Sequence, residues 1–190
     1  MPHISVPAAE LNTRLDRLRC AMTEKDPAWS MLLLDNTLDM YYFTGTMQDG
    51  ALVVTPDQAT LFVRRSFDVA KDESAFADIR PMGSFRGIKE VYPDIPETVY
   101  VAAKTMTLQK LSMLNKHLPF APKPMDGVLS ALRSVKSAYE LDCMRESGRL
   151  HRYVIEGLAP AFLREASAKH ACAARSAPPS WTAAAWVSRA

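Results

Sequence analysis

The stretch "DMYYFTGTMQDGALVVT", residues 39–55, decides how this chain is read. Three aromatic side chains, Tyr41, Tyr42 and Phe43, run into a Thr-Gly pair. A short polar loop follows, then an apolar run that ends in a threonine. Aromatic side chains carry large buried areas, so these three are expected to supply packing. Gly45 permits a turn that a side chain would obstruct. The segments "GALVVT" (50–55) and "ATLFVR" (59–64) both look like strands. The Pro-Asp-Gln between them predicts a hairpin.

Working outward, residues 8–25 carry Leu11, Leu15, Leu18 and Met22 on one stripe, the spacing of an amphipathic helix that Pro27 closes. "SMLLLD" (30–35) is a short continuous apolar run, which predicts a strand covered on both faces. "SFDVAKDES" (66–74) predicts a short helix with Asp68, Asp72 and Glu73 on a solvated face. "ADIRPM" (77–82) and "ETVYVAA" (97–103) read as further strands, with the short segment "FRGIKEVY" between them. Leu108, Leu111, Leu114 and Leu118 form a stripe that Pro119 stops, and "MDGVLSALRSVK" (125–136) predicts another helix.

From Ser137 to Leu163 the pattern is the longest helix, opened by the capping-box pair Ser137 and Glu140. Its stripe runs through Leu141, Met144, Gly148, His151, Ile155, Leu158 and Phe162, and Gly157 and Pro160 can bend or end it. Strands alternating with helices imply an α/β fold, a mixed sheet of about five or six strands flanked by helices. One long helix and an irregular tail follow. The expected organisation is an α/β domain over 1–134, a helix over 135–164 and a disordered tail over 165–190.

The net charge of +2 gives no electrostatic footprint for nucleic acid. No apolar run approaches the length that spans a bilayer, and the N-terminus lacks the pattern of a signal peptide. Cys20, Cys143 and Cys172 lie far apart, with neither zinc spacing nor a disulfide framework. A cytoplasmic setting is therefore expected. The tail is different in kind. It holds alanine at ten of residues 166–190, two of the three tryptophans and none of the 21 acidic residues. Two explanations fit: a disordered basic tail, or out-of-frame translation beyond residue 165.

Residues 39–55, followed by "ATLFVRRSFDVAKDES", resemble the N-terminal domain of the creatinase, aminopeptidase P and prolidase metallopeptidases. "LRSVKSAYELDCMRESGRL" (132–150) resembles the same family's junction, where an R-x-x-K-S-x-x-E-L stretch opens the first helix of the catalytic domain. The likeness covers roughly residues 9–164. It implies an Xaa-Pro peptidase ancestry, with two divalent metals such as Mn, Co or Zn in the intact family. Their ligands, two aspartates, a histidine and two glutamates, lie beyond the junction helix. No position of this chain matches one of them. No cofactor, metal ligand or catalytic residue is therefore assigned to the chain.

The resemblance also implies a role for the loop Gly45–Asp49. In dimers of such enzymes it approaches the partner's active-site mouth. Tyr42, Met47, Gln48, Asp49 and Arg64 are the candidate substrate-side residues, with a peptide substrate only in an intact relative. A homodimer stays open. Packing is the favoured explanation of the aromatics; Arg64 and Arg65 have the fork to bind a carboxylate bidentately, but a simple surface ion pair explains them better. Asp35 and Asp39 suit turn and cap chemistry better than a ligand pair. His151 reads as a packed or partly exposed helical histidine, and the His170/Cys172 pair as chance.

The first of three readings is adopted and the other two are its alternatives. The chain is a non-catalytic N-terminal domain with a structural, dimerising and mouth-shaping role; or it is active once a catalytic half is supplied separately; or it is a stand-alone regulatory or ligand-binding module. In the first case the junction helix, without its cover, is expected to fray, fold back or self-associate.

Overall fold

A computed structural model of the protein describes residues 5–158. The anomalous tail, including His170, Cys172 and both late tryptophans, lies outside the described residues, as does Phe162. The chain divides into two compact units between Val135 and Lys136.

The first unit is built on a six-stranded sheet. Its strands are β1 Leu32–Leu34, β2 Gly50–Val54, β3 Ala59–Val63, β4 Ile79–Pro81, β5 Thr98–Val101 and β6 Ala121–Pro124. They lie in the order β4-β3-β2-β1-β5-β6. Residues 50–63 form the expected antiparallel hairpin, Gly50 opposite Val63 and Val54 opposite Ala59. β1 pairs antiparallel with β2 and parallel with β5, while β3–β4 and β5–β6 are parallel. Among the described strands β2 therefore runs against the other five.

Both faces of the sheet are covered, which is why Leu32, Leu33 and Leu34 are all buried. One face carries Leu33, Val53, Phe62, Val99 and Val101. They pack with Ile88 from the short α4 (Ile88–Val91) and Leu114 from α5 (Leu108–Asn115). The other lies under α1 (Ala8–Lys25), whose stripe Leu11, Leu15, Leu18 and Met22 is buried as expected. α1 also meets α2 (Thr37–Thr44) and α6 (Asp126–Ser134). α3 (Phe67–Glu73) follows β3.

Proline closes the β6 edge of the sheet and part of the β4 edge. Ala121 N–H bonds to Glu97 O at 2.6 Å and Met125 N–H to Val101 O at 3.0 Å. N–H groups alternate in direction along a strand, so the outward positions of β6 are 122 and 124. Both are proline, and that edge offers no donor to another strand. On β4, Met82 N–H bonds inward to Val63 O, which leaves Pro81 facing out.

Three elements depart from expectation. The aromatics at 41–43 do lead into the turn at Gly45, but they lie in a helix, α2, where no element was expected. β6 has the composition "APKP", which no strand pattern would select. Leu108 does not join the stripe of α5: as the helix's first residue it is 86% exposed.

The second unit is described through Leu158. Its helix α7 (Ala138–Arg152) starts with the full capping box. Ser137 accepts from Glu140 N–H while Glu140 accepts from Ser137 N–H. The helix then widens into a π turn over Tyr153–Leu158. None of the residues of α7 is buried, and Leu141, Met144, Leu150 and Ile155 are exposed, as is His151.

Candidate functional site

The loop Gly45–Asp49 owes its position to the helix before it. Asn36 caps α2 by accepting from Asp39 N–H at 2.9 Å. The helix stops at Gly45, which has φ 75°, with its N–H on Tyr41 O at 2.8 Å. That left-handed conformation is costly for a residue with a Cβ, so glycine is the physical requirement for the turn.

The loop is then fastened from two sides. The buried Thr46 hydroxyl bonds to the Glu73 carboxylate at the end of α3. Gln48 donates its side-chain amide to the same Glu73 oxygen at 3.1 Å and its backbone N–H to Thr46 Oγ1 at 3.3 Å. Next to Glu73, the Ser74 hydroxyl donates to Thr44 O. On the other side, Arg64 at the end of β3 donates its N–H to Asp49 O at 2.7 Å, and its guanidinium lies 3.0 Å from the Asp49 carboxylate.

Each candidate residue thus has a definite place. Tyr42 is 7% exposed, donates its hydroxyl to Leu132 O at 3.3 Å, and stacks edge-on with Phe43 at 4.9 Å. The Arg14 guanidinium lies 4.4 Å from its ring centroid, a cation–π distance. Gln48, Asp49 and Arg64 spend their polar groups on the loop itself. Met47 is 58% exposed at the tip. Leu38 and Tyr41, three apart on α2 and so on one face, are exposed as well.

Glu73 is the residue that sequence reasoning missed. Expected on a solvated face, it is half-buried and turned onto the loop. Nothing local in "KDES" distinguishes it from Asp72.

The two aspartates at the end of β1 do not converge on a common ligand. Asp35, whose side chain is 1% exposed, faces Lys110 Nζ at 2.8 Å, and the same ammonium donates to Asp35 O at 2.9 Å. Asp39 pairs with Arg133 at 2.7 Å. Among the described residues no group of three His, Cys, Asp or Glu side chains could hold a metal ion. No described helix is long and apolar enough to cross a membrane.

The sequence profile of the Creatinase/Prolidase N-terminal domain matches residues 14–135. No curated protein matches the chain in sequence. Among solved structures, an Xaa-Pro dipeptidase from Bacillus anthracis is similar at TM-score 0.66 and 18% identity, over 77% of this chain and 42% of that one. The prolidase from Pyrococcus furiosus aligns at TM-score 0.57 and 25% identity, over 67% of this chain and 40% of its own. The Creatinase/Prolidase N-terminal domain of an X-Pro dipeptidase from Streptococcus pyogenes is covered over 98% of its length, at TM-score 0.53 and 18% identity. This chain thus spans about two fifths of the longer relatives and nearly all of the isolated domain. By the profile match over most of its length, the chain belongs to the creatinase/prolidase N-terminal domain family.

Proposed function

We propose that residues 14–135 serve as the substrate-side, non-catalytic domain of an Xaa-Pro peptidase-type protein, and that the chain by itself cleaves no peptide. One observation carries this reading: the loop Gly45–Asp49 is fixed by Glu73 and Arg64 with Met47 left exposed at its tip. A loop whose polar groups are satisfied internally is preorganised. It can shape the mouth of a pocket without supplying a reacting group.

In this reading the carboxylates and imidazole of the dinuclear site belong to a catalytic half outside residues 1–190. The setting is cytoplasmic, which the exposed free thiols Cys20 and Cys143 support. If copies associate, they do not do so by pairing N–H groups of β6, because its outward positions carry only proline.

The test uses the purified chain with Mn2+, Co2+ or Zn2+ and an Xaa-Pro dipeptide. No release of proline is expected. Turnover that scales with protein and stops on chelation would overturn the proposal.

A second reading, activity restored by a separately supplied catalytic half, is favoured by α7. Leu141, Met144 and Leu150 are exposed there, as is Ile155 in the π turn that follows, and each would gain about 1.5–3 kcal/mol on full burial. Adding the catalytic half of a relative in trans separates the two readings. Recovered cleavage supports the second.

A further inference from the structure

Beyond the loop, the ends of β3 and β4 and the end of α5 line a half-open pocket of about 320 Å3. Arg64 reaches it from β3, Ser84 and Phe85 from the segment after β4, Met113 from α5, and Lys116 and His117 from the turn that follows. Its size falls within the range of small-molecule sites, about 300–1,000 Å3.

The lining has one sign of charge. Three of its side chains are basic and none is acidic. Arg64 shares its charge with Asp49. Lys116 and His117 have no ion-pair or hydrogen-bond partner for their side chains among the described residues. The Ser84 side chain makes no capping bond. Against these polar groups stands an apolar wall, the nearly buried Phe85 ring and the 46% exposed Met113. Concave basic surface beside low-dielectric wall concentrates small anions. The apolar wall in addition favours an anion that carries an organic body over a bare inorganic one. The chain's net charge of +2 does not suit a nucleic-acid backbone.

We propose that this cavity binds a small organic carboxylate. Its charged end is held by Lys116 and His117, and its apolar body rests on Phe85 and Met113. The site is independent of the peptidase reading: a chain that cleaved Xaa-Pro bonds would leave it standing, and so would one that did not.

The experiment is an amide NMR titration of the whole chain with three probes, benzoate, benzamide and inorganic phosphate. Benzoate is expected to give saturable shifts at residues 83–85 and 113–117. Benzamide, which has the ring without the charge, and phosphate, which has the charge without the ring, should each bind about tenfold more weakly. The double variant Lys116→Gln/His117→Gln should weaken benzoate by about tenfold and leave benzamide unchanged. Both positions lie outside the packed core, so the variant keeps the fold. Equal binding of benzoate and benzamide would overturn the proposal. So would phosphate shifting the same amides as strongly as benzoate, an unaffected double variant, or no saturation by about 10 mM.

Discussion

Arg133 Nη1 lies 2.7 Å from Asp39 Oδ1, joining residues 94 positions apart in the chain. The pair links the two stretches that carry the family resemblance, the aromatic helix α2 and the start of the junction. It does not act alone. Asn36 Nδ2 also donates to Asp39, and Leu132 O accepts from both the Tyr42 hydroxyl and Arg17 Nη2, each at 3.3 Å. Cationic groups at the last carbonyls of a helix are favourably placed. The final turn of α6 is therefore tied to α1 and α2 just before the first unit ends at Val135. Because α2 leads into the loop Gly45–Asp49, the same ties hold the candidate site to the end of the domain.

Replacing Arg133 by Met leaves the buried Asp39 carboxylate without its cation. Breaking a fully buried pair costs about 3–5 kcal/mol, but the Arg133 side chain is 32% exposed, so about 1–3 kcal/mol is expected here. Urea unfolding should show a lower midpoint with an unchanged slope. The double variant Arg133→Met/Asp39→Asn should recover part of the loss, because the charge left unpaired is gone.

Two glycines should respond in opposite ways to alanine. A Cβ at Gly50 would sit 2.0 Å from the Phe62 carbonyl oxygen, inside the hairpin that anchors the sheet. Backbone cannot yield there, and Gly50→Ala should cost about 3 kcal/mol or more or prevent folding. A Cβ at Gly127 meets nothing within 4 Å. It lies in the first turn of α6, so Gly127→Ala should be neutral or add up to about 1 kcal/mol. Thermal melts of the two variants check both signs.

The sequence made legible whatever repeats locally. The stripe of α1 gave its bounds, the Pro-Asp-Gln turn gave the hairpin, and Ser137 with Glu140 gave the start of α7. α2 escaped because Met40, Tyr42, Phe43 and Thr44 are all buried, so no polar face contrasts with an apolar one. Its caps were the available signal, Asn36 before it and Gly45 after it. β6 escaped because proline argues against a strand, and only its place at the edge makes Pro122 and Pro124 admissible. At the candidate site the loop was visible from the resemblance, but its fastening was not. Glu73 reaches Thr46 and Gln48 across 27 and 25 positions, and Arg133 reaches Asp39 across 94. Contacts of that separation leave no local periodicity to read.

Acid should act through Asp26. Its carboxylate accepts from the Tyr100 hydroxyl at 2.6 Å and from Lys123 Nζ at 2.9 Å. The Tyr100 bond first, and then Lys123, hold its pKa at about 2 against an ordinary 3.8. The folded value lies below the unfolded one, so the contribution is complete above about pH 4 and is lost as pH falls towards 2. Tyr100→Phe removes the larger cause. Carboxyl NMR titration should then show Asp26 closer to 3.8, and this carboxylate's share of the acid sensitivity should shrink.

The fastening of the candidate loop predicts a local loss without a global one. Glu73→Ala removes the acceptor of both Thr46 and Gln48, while the Arg64–Asp49 pair and the Gly45 cap stay in place. Hydrogen bonds to a carboxylate contribute about 1.5–3 kcal/mol when shielded and less at a half-exposed site such as this one. Most of the sheet does not depend on them. Amide exchange at Gln48, whose N–H leans on the Thr46 hydroxyl at 3.3 Å, should speed up by about tenfold. Amides of the hairpin core such as Leu52 and Leu61 should keep their protection within about twofold. Equal acceleration at Leu52 would mean that Glu73 supports the whole domain rather than the loop. No change at Gln48 would mean that the loop is held by Arg64 alone.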